Sequence, residues 1–233
     1  MSSLETITYG TDSLPAHVTG VRGAPAVIAV QEWWGVTPII KRQAAALAAK
    51  GYRVFIPDLY RGKLGVEREE AQHLYDSLDW PAAVRQLAEA AEHLRSEGSP
   101  TVGALGFCMG GALALATAQH GRLDAAVGCY GSPPAALGQP EEVRCPVLLV
   151  TGEEDNLKGF SDPDTMRAWA SRAQAAGKDA RAAVYPRAGH GFLNEGDDAV
   201  ATRKKLNHYE PDPTQQLAAW EEIFAYLDSK LKQ

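Results

Sequence analysis

Residues 106–110 read Gly106-Phe107-Cys108-Met109-Gly110, the G-x-S-x-G pattern of a nucleophile elbow with sulfur in place of oxygen. Such an elbow is a tight strand-to-helix turn. Its central residue sits in a strained backbone conformation, so the residues two before and two after it must lack bulk. The helix that follows offers unpaired N–H groups and a partial positive charge. Both favour a thiolate and, later, the oxyanion of a tetrahedral intermediate. Taken alone, a cysteine among small residues reads as core. Its place where the apolar run 101–107 gives way to the helix-forming run from Gly110 strengthens the catalytic reading without deciding it. A dinucleotide-binding turn is the poorer reading, because G-x-G-x-x-G is absent and no acidic residue ends the next strand.

A nucleophile needs a base, and the base needs an orienting group. After the apolar run ending in Val150 comes Thr151-Gly152-Glu153-Glu154-Asp155, which puts a carboxylate just past a strand end. After 180–186 comes Arg187-Ala188-Gly189-His190-Gly191-Phe192, which puts an imidazole on a glycine-flanked loop. Separately, Asp155 reads as a solvated acidic turn and His190 as a surface loop residue. Together with Cys108 they fall in the order nucleophile, acid, histidine, and a Cys108-His190-Asp155 triad accounts for all three.

The elements that must position these groups alternate between short β-branched runs and helical patterns. Strands are predicted at 25–32, 52–58, 101–107, 123–131, 145–152 and 180–186. Helices are predicted at 37–51, 66–78, 80–98, 110–121, 162–177 and 212–232. This alternation implies one α/β domain over 1–233, a mostly parallel sheet with helices on both faces, and an antiparallel N-terminal edge from the first two runs. Chemistry then collects at the carboxyl ends of the strands, near Gln31, Glu32, Asp58, Cys108, Tyr130, Glu153 to Asp155 and the loop after Tyr185. Residues 191–211 are expected to be a long irregular segment, of the kind that is functional or mobile.

Composition narrows the function classes. The 233 residues carry Lys+Arg 23 against Asp+Glu 29, a net charge of −6, which argues against a nucleic-acid binder with its clustered basic surface. No segment approaches the roughly 18–20 apolar residues of a membrane span. The first residues show neither a basic nor an apolar signal region, and a cytoplasmic protein is expected. Cys108, Cys129 and Cys145 have no C-x-x-C spacing and the six histidines are scattered, so neither a disulfide framework nor a metal site is expected. Cys129 and Cys145 read as core. No motif calls for a cofactor.

Over nearly its whole length the chain resembles the dienelactone hydrolase family, cysteine-nucleophile members of the α/β-hydrolase fold. The blocks that carry the resemblance are VQEWWG (30–35), PDLYRG (57–62), GFCMGGALA (106–114), TGEEDNL (151–157) and AGHGF (188–192). The resemblance implies Cys108, His190 and Asp155 as the triad, and Glu32 as a glutamate that contacts the resting thiol and moves when substrate binds. A carboxylate beside sulfur opposes thiolate formation and can accept S–H, which would also protect the resting thiol from oxidation. The structural alternative for Glu32 is a strand-end carboxylate paired with an arginine. The oxyanion donors would be the backbone N–H groups of Met109 and Trp33.

The resemblance also implies a small carboxylate-bearing ester or lactone substrate, with dienelactone, opened to maleylacetate, as the first expectation. Arg68 matches one arginine that holds the substrate carboxylate. Where a second would fall, four residues past His190, this chain has Asn194. Gln72 and Tyr75 stand in place of a tyrosine and a tryptophan of the substrate-binding helix. Losing one charge-assisted contact costs about 1.5–3 kcal/mol, so ester chemistry is better supported than the dienelactone substrate. Arg187, Arg203, Lys204 or Lys205 could restore the charge, although an exposed basic turn is the expected state of these residues. One of Trp33 and Trp34 should wall the site and the other pack the core. A broader carboxylesterase or thioesterase is the alternative on the same scaffold, and a cysteine redox sensor the alternative of another class. A monomer is expected, and a dimer is compatible with the sequence.

Overall fold

The computed structural model describes residues 4–120 and 122–232. An eight-stranded sheet runs in the order β1-β2-β4-β3-β5-β6-β7-β8. Its strands are β1 (Glu5–Tyr9), β2 (Leu14–Thr19), β3 (Ala26–Val30), β4 (Arg53–Pro57), β5 (Val102–Phe107), β6 (Ala125–Cys129), β7 (Val147–Gly152) and β8 (Ala180–Tyr185). β2 pairs antiparallel with both β1 and β4, and the remaining neighbours are parallel. The expected antiparallel edge is therefore present, at the N-terminal end of the sheet.

Side-chain alternation explains why a parallel sheet must be covered on both faces. Along β3, Ala26, Ile28 and Val30 enter one apolar cluster while Val27 and Ala29 enter the other. The same split separates Val147 and Leu149 from Leu148 and Val150 on β7. The first face is covered by α3 (Trp80–Ser96), α4 (Met109–Thr117) and α5 (Pro163–Ala175). The second is covered by α1 (Pro38–Ala49) and α7 (Pro213–Leu231). α2 (Arg68–Asp76) contributes only Ala71 to the buried interior, and so projects polar side chains from the carboxyl side of the sheet. The expected stop of α4 at Gly121 lies outside the described residues.

Residues 191–211 depart from expectation. They contain a helix, α6 (Asp197–Lys205). Only Ala199 and Arg203 are buried along it, so it lacks the apolar stripe by which helical periodicity is recognised. Its charges suit a helix instead, with Asp197 and Asp198 in the first turn and Arg203, Lys204 and Lys205 in the last. It closes with Asn207 N–H donating to Lys204 O at 3.2 Å and His208 N–H to Arg203 O at 2.9 Å. That is the Schellman pattern, with Asn207 in the left-handed position at φ 54°. Among the described residues no helix is long and apolar enough to cross a membrane.

The junction of β5 and α4 is the tightest place in the sheet. A Cβ on Gly106 would collide with the carbonyl of Gly110, and one on Gly110 with the carbonyls of Val30 and Gln31. Gly110→Ala is therefore expected to cost about 1–3 kcal/mol of stability, read as a lower urea midpoint. Wild-type stability in that variant would contradict the packing described.

Candidate active site

Cys108 caps α4 with φ 54° and ψ −118°, a conformation that costs a non-glycine residue on the order of 1–3 kcal/mol. Its N–H donates to Cys129 O at 2.9 Å, which fastens the bend to β6. A Cβ on Gly131 would strike the Cys108 carbonyl, so the other side of the bend also requires glycine. Cys108 remains partly exposed, whereas Cys129 and Cys145 are buried, as the sequence led one to expect. Burial pushes the Cys145 thiol up to about 12 and the Cys129 thiol upward as well. Neither is available as an exposed partner for Cys108.

His190 and Asp155 arrive from the loops after β8 and β7. Their Nδ1–Oδ2 distance is 2.8 Å, and both residues are buried. Asp155 also accepts from Ser161 Oγ at 2.9 Å and from the Leu157 amide at 3.1 Å. Ser161 Oγ lies 3.2 Å from His190 Nδ1, so one hydroxyl braces the whole contact. The imidazole is within hydrogen-bond reach of Cys108, so Cys108, His190 and Asp155 form one chain of neighbours. Burial alone would push His190 down. The charge of a Cys108 thiolate, hydrogen bonds to Asp155 and Cys108, and the Asp155 carboxylate outweigh it, and His190 stands well above its ordinary value.

Glu32 follows β3 on the same cavity. Its Oε1 accepts from Asn194 Nδ2 at 2.9 Å, with a further hydrogen bond to Tyr130. The amide of Asn194 cannot turn over freely, because its Oδ1 accepts from Gln43 Nε2 at 3.0 Å and from Tyr130 OH at 3.3 Å. Asn194 lines the cavity as expected, but its polar atoms are committed to Glu32 and Gln43. Among the described residues no arginine forms an ion pair with Glu32. Arg203 is buried rather than part of an exposed basic turn. It donates to Asn194 O at 2.7 Å and to Glu210 through Nε and Nη2. α6 turns Arg203 inward while Lys204 and Lys205 stay exposed. Lys205 pairs with Glu67 and Arg187 with Asp212. Burial raises the Glu32 carboxyl above its usual range despite Asn194, His190, Arg203 and Tyr130, which all favour its charge.

These groups open into a cavity of about 470 Å³. Trp33, Trp34, Tyr75, Leu157 and Phe160 form its apolar walls, with Arg68 and Gln72 on α2 and Thr202, Arg203, Leu206 and His208 opposite. Both tryptophans line it. Trp34 is buried and Trp33 partly exposed, with ring centroids 4.9 Å apart in edge contact. Arg68 is exposed, and among the described residues it has no carboxylate partner. Met109 opens α4, where an amide has no intrahelical acceptor. Ser161, Gln43, Phe160 and His208 escaped the sequence reading. Only Gln43 left a signal, as a polar residue on the Ile39, Ile40, Ala44 and Leu47 face of α1.

Because the folded pKa of His190 is raised, its charge stabilises the fold fully below the unfolded value of about 6.5. That contribution is lost as pH rises through the folded value. Asp155→Asn removes part of the cause. It is expected to destabilise the protein more at pH 6 than at pH 9, by urea unfolding at each pH. An equal loss at both would contradict the charged contact.

The family model described as the dienelactone hydrolase family matches residues 14–231. The carboxymethylenebutenolidase of Pseudomonas putida is 30% identical over 207 residues, covering 81% of this chain and 86% of the relative. Among solved structures, a dienelactone hydrolase-like promiscuous phosphotriesterase from metagenomic libraries superposes with TM-score 0.81 at 20% identity, covering 98% of each chain. A thermophilic esterase of Thermogutta terrifontis does so with TM-score 0.63 at 18% identity, covering 96% of this chain and 94% of the other. These likenesses place the sheet in the α/β-hydrolase fold. The chain belongs to the dienelactone hydrolase family and is a hydrolase of small-molecule esters or lactones.

Proposed function

We propose that the chain, acting as one domain in the cytoplasm, hydrolyses a small carboxylate-bearing ester or lactone through Cys108, His190 and Asp155, with a thioester intermediate. The observation that carries this reading is the His190–Asp155 pair at 2.8 Å beside the partly exposed Cys108, on a cavity of about 470 Å³.

A free thiol is only a few per cent ionised at neutral pH, and here the His190 imidazole takes the thiol proton. The thiolate then adds to the substrate carbonyl carbon. The carbonyl electron pair moves to oxygen, where the amides of Met109 and Trp33 receive it. The intermediate collapses by breaking the C–O bond, and the leaving oxygen takes the proton from the His190 imidazolium. A thioester remains on Cys108. Next, His190 removes a proton from water, hydroxide adds to the thioester carbon, collapse breaks the C–S bond and releases the acid, and the His190 imidazolium returns its proton to the Cys108 sulfur. Asp155 keeps Nδ1 protonated, so that the other nitrogen handles these protons. Glu32, with its carboxyl raised by burial, stands ready to exchange a proton with the thiol as substrate enters.

Arg68 is the cation offered to a substrate carboxylate. Asn194 is taken up by Glu32, and Arg203 by Glu210 and the Asn194 carbonyl, so neither supplies a free second charge. A substrate with one carboxylate beside its ester suits this arrangement, with dienelactone as one such compound. A broader carboxylesterase differs only in being indifferent to that carboxylate.

Cys108→Ala is expected to lower turnover of activated esters and lactones by about a thousandfold or more. Activity within tenfold of wild type would refute the nucleophile. Arg68→Gln should raise KM for carboxylate-bearing esters by about tenfold and leave neutral aryl esters unchanged. Equal effects on both would leave the broader esterase as the better reading.

A further inference from the structure

Beyond the triad, a second imidazole faces the first. His208 lies with its ring centroid 5.3 Å from that of His190, at an interplanar angle of 79°, and it lines the same cavity. Its place follows from local structure. The Schellman turn that ends α6 uses Asn207 in the left-handed conformation and returns the chain toward the His190 loop. There it is pinned. A Cβ on Gly189 would lie 2.7 Å from Cβ of Tyr209, the Asp212 amide donates to Arg187 O at 2.9 Å, and Arg187 pairs with Asp212. The segment after α6 therefore clamps the loop that carries His190, with His208 edge-on against the imidazole. Tyr130 holds another side of the same ring, at 5.2 Å and in edge contact.

We propose that His208 is a positioning residue, a neutral aromatic backstop that holds the His190 imidazole in place between Asp155 and Cys108.

Neutrality matters because a second cation at this distance would oppose the charge on His190. The charged groups facing His208 are His190, Asp155 and Arg203. Those facing His190 include Cys108 and Asp155, with Glu32 also within electrostatic reach. Burial and the His190 charge hold His208 down at about 4, against smaller opposing effects of Asp155 and of hydrogen bonding to the His190 backbone. His208 therefore stays uncharged over the range in which His190 exchanges protons.

The inference rests on His190 acting as the base proposed above, so its test includes a readout that needs no turnover. Imidazole resonances of the substrate-free protein are followed against pH in wild type, His208→Lys and His208→Phe. His208 is expected to titrate near 4, and the fixed charge in His208→Lys to lower the His190 titration by about one pH unit. The limb of the kcat/KM profile that follows His190 should move down with it. His208→Ala should lose about tenfold in kcat with KM little changed, and His208→Phe, which keeps the ring, should recover most of that loss. Circular dichroism of His208→Phe controls for folding. A His190 titration unmoved by His208→Lys, or full kcat in a folded His208→Ala, would overturn the proposal. If no ester is turned over while the titration still shifts, the hydrolytic reading fails and the imidazole pairing stands.

Discussion

One backbone conformation organises this molecule: Cys108 at φ 54° between a strand and a helix. A side chain there is strained, so the surroundings must over-determine it. They do so with close approaches rather than with many bonds. Gly106 and Gly110 stand where a single methyl would collide, Gly110 lies against the end of β3, and Gly131 against the Cys108 carbonyl. The same contacts that enforce the bend bring the ends of β3, β5 and β6 together, and with them Glu32, Trp33, Met109 and Tyr130. The groups used in the proposed chemistry are thus neighbours of a packing constraint.

Around the sulfur, burial and charge pull in opposite directions. Burial would keep His190 neutral, yet its neighbours raise it. Burial raises Glu32 although Asn194, His190, Arg203 and Tyr130 favour its charge. Burial and the His190 charge drive His208 down. Three titratable groups on one cavity are thus separated by environment, which suits a site that must pass a proton among chosen partners. Arg203 contributes field rather than a free cation, because its guanidinium is shared between Glu210 and the Asn194 carbonyl.

Much of this was legible in the sequence, and the reasons are physical. Strand positions could be read because a strand buried on both faces is a near-continuous apolar run, as 26–30 and 147–150 are. Cys108, Asp155 and His190 could be read because strand ends and glycine-flanked turns restrict where a side chain can reach. α6 could not be read, because its periodicity is carried by Ala199 and Arg203 rather than by an apolar stripe. With the helix unseen, Arg203 looked like part of an exposed turn and His208 like nothing in particular. Asn194 was noticed for the charge it lacks. That it donates to Glu32 depends on Gln43, 151 residues away in the chain, and no local pattern encodes such a distance.

The central claim is that this sulfur becomes acylated during hydrolysis. Acid quenching during steady-state turnover of an activated lactone or ester, followed by intact mass and peptide mapping, tests it most directly. The expected result is one acyl group per chain on the peptide that holds Cys108, lost on dilution into substrate-free buffer. Full turnover with every quenched chain unmodified, or an acyl group mapped to another residue, would contradict the account.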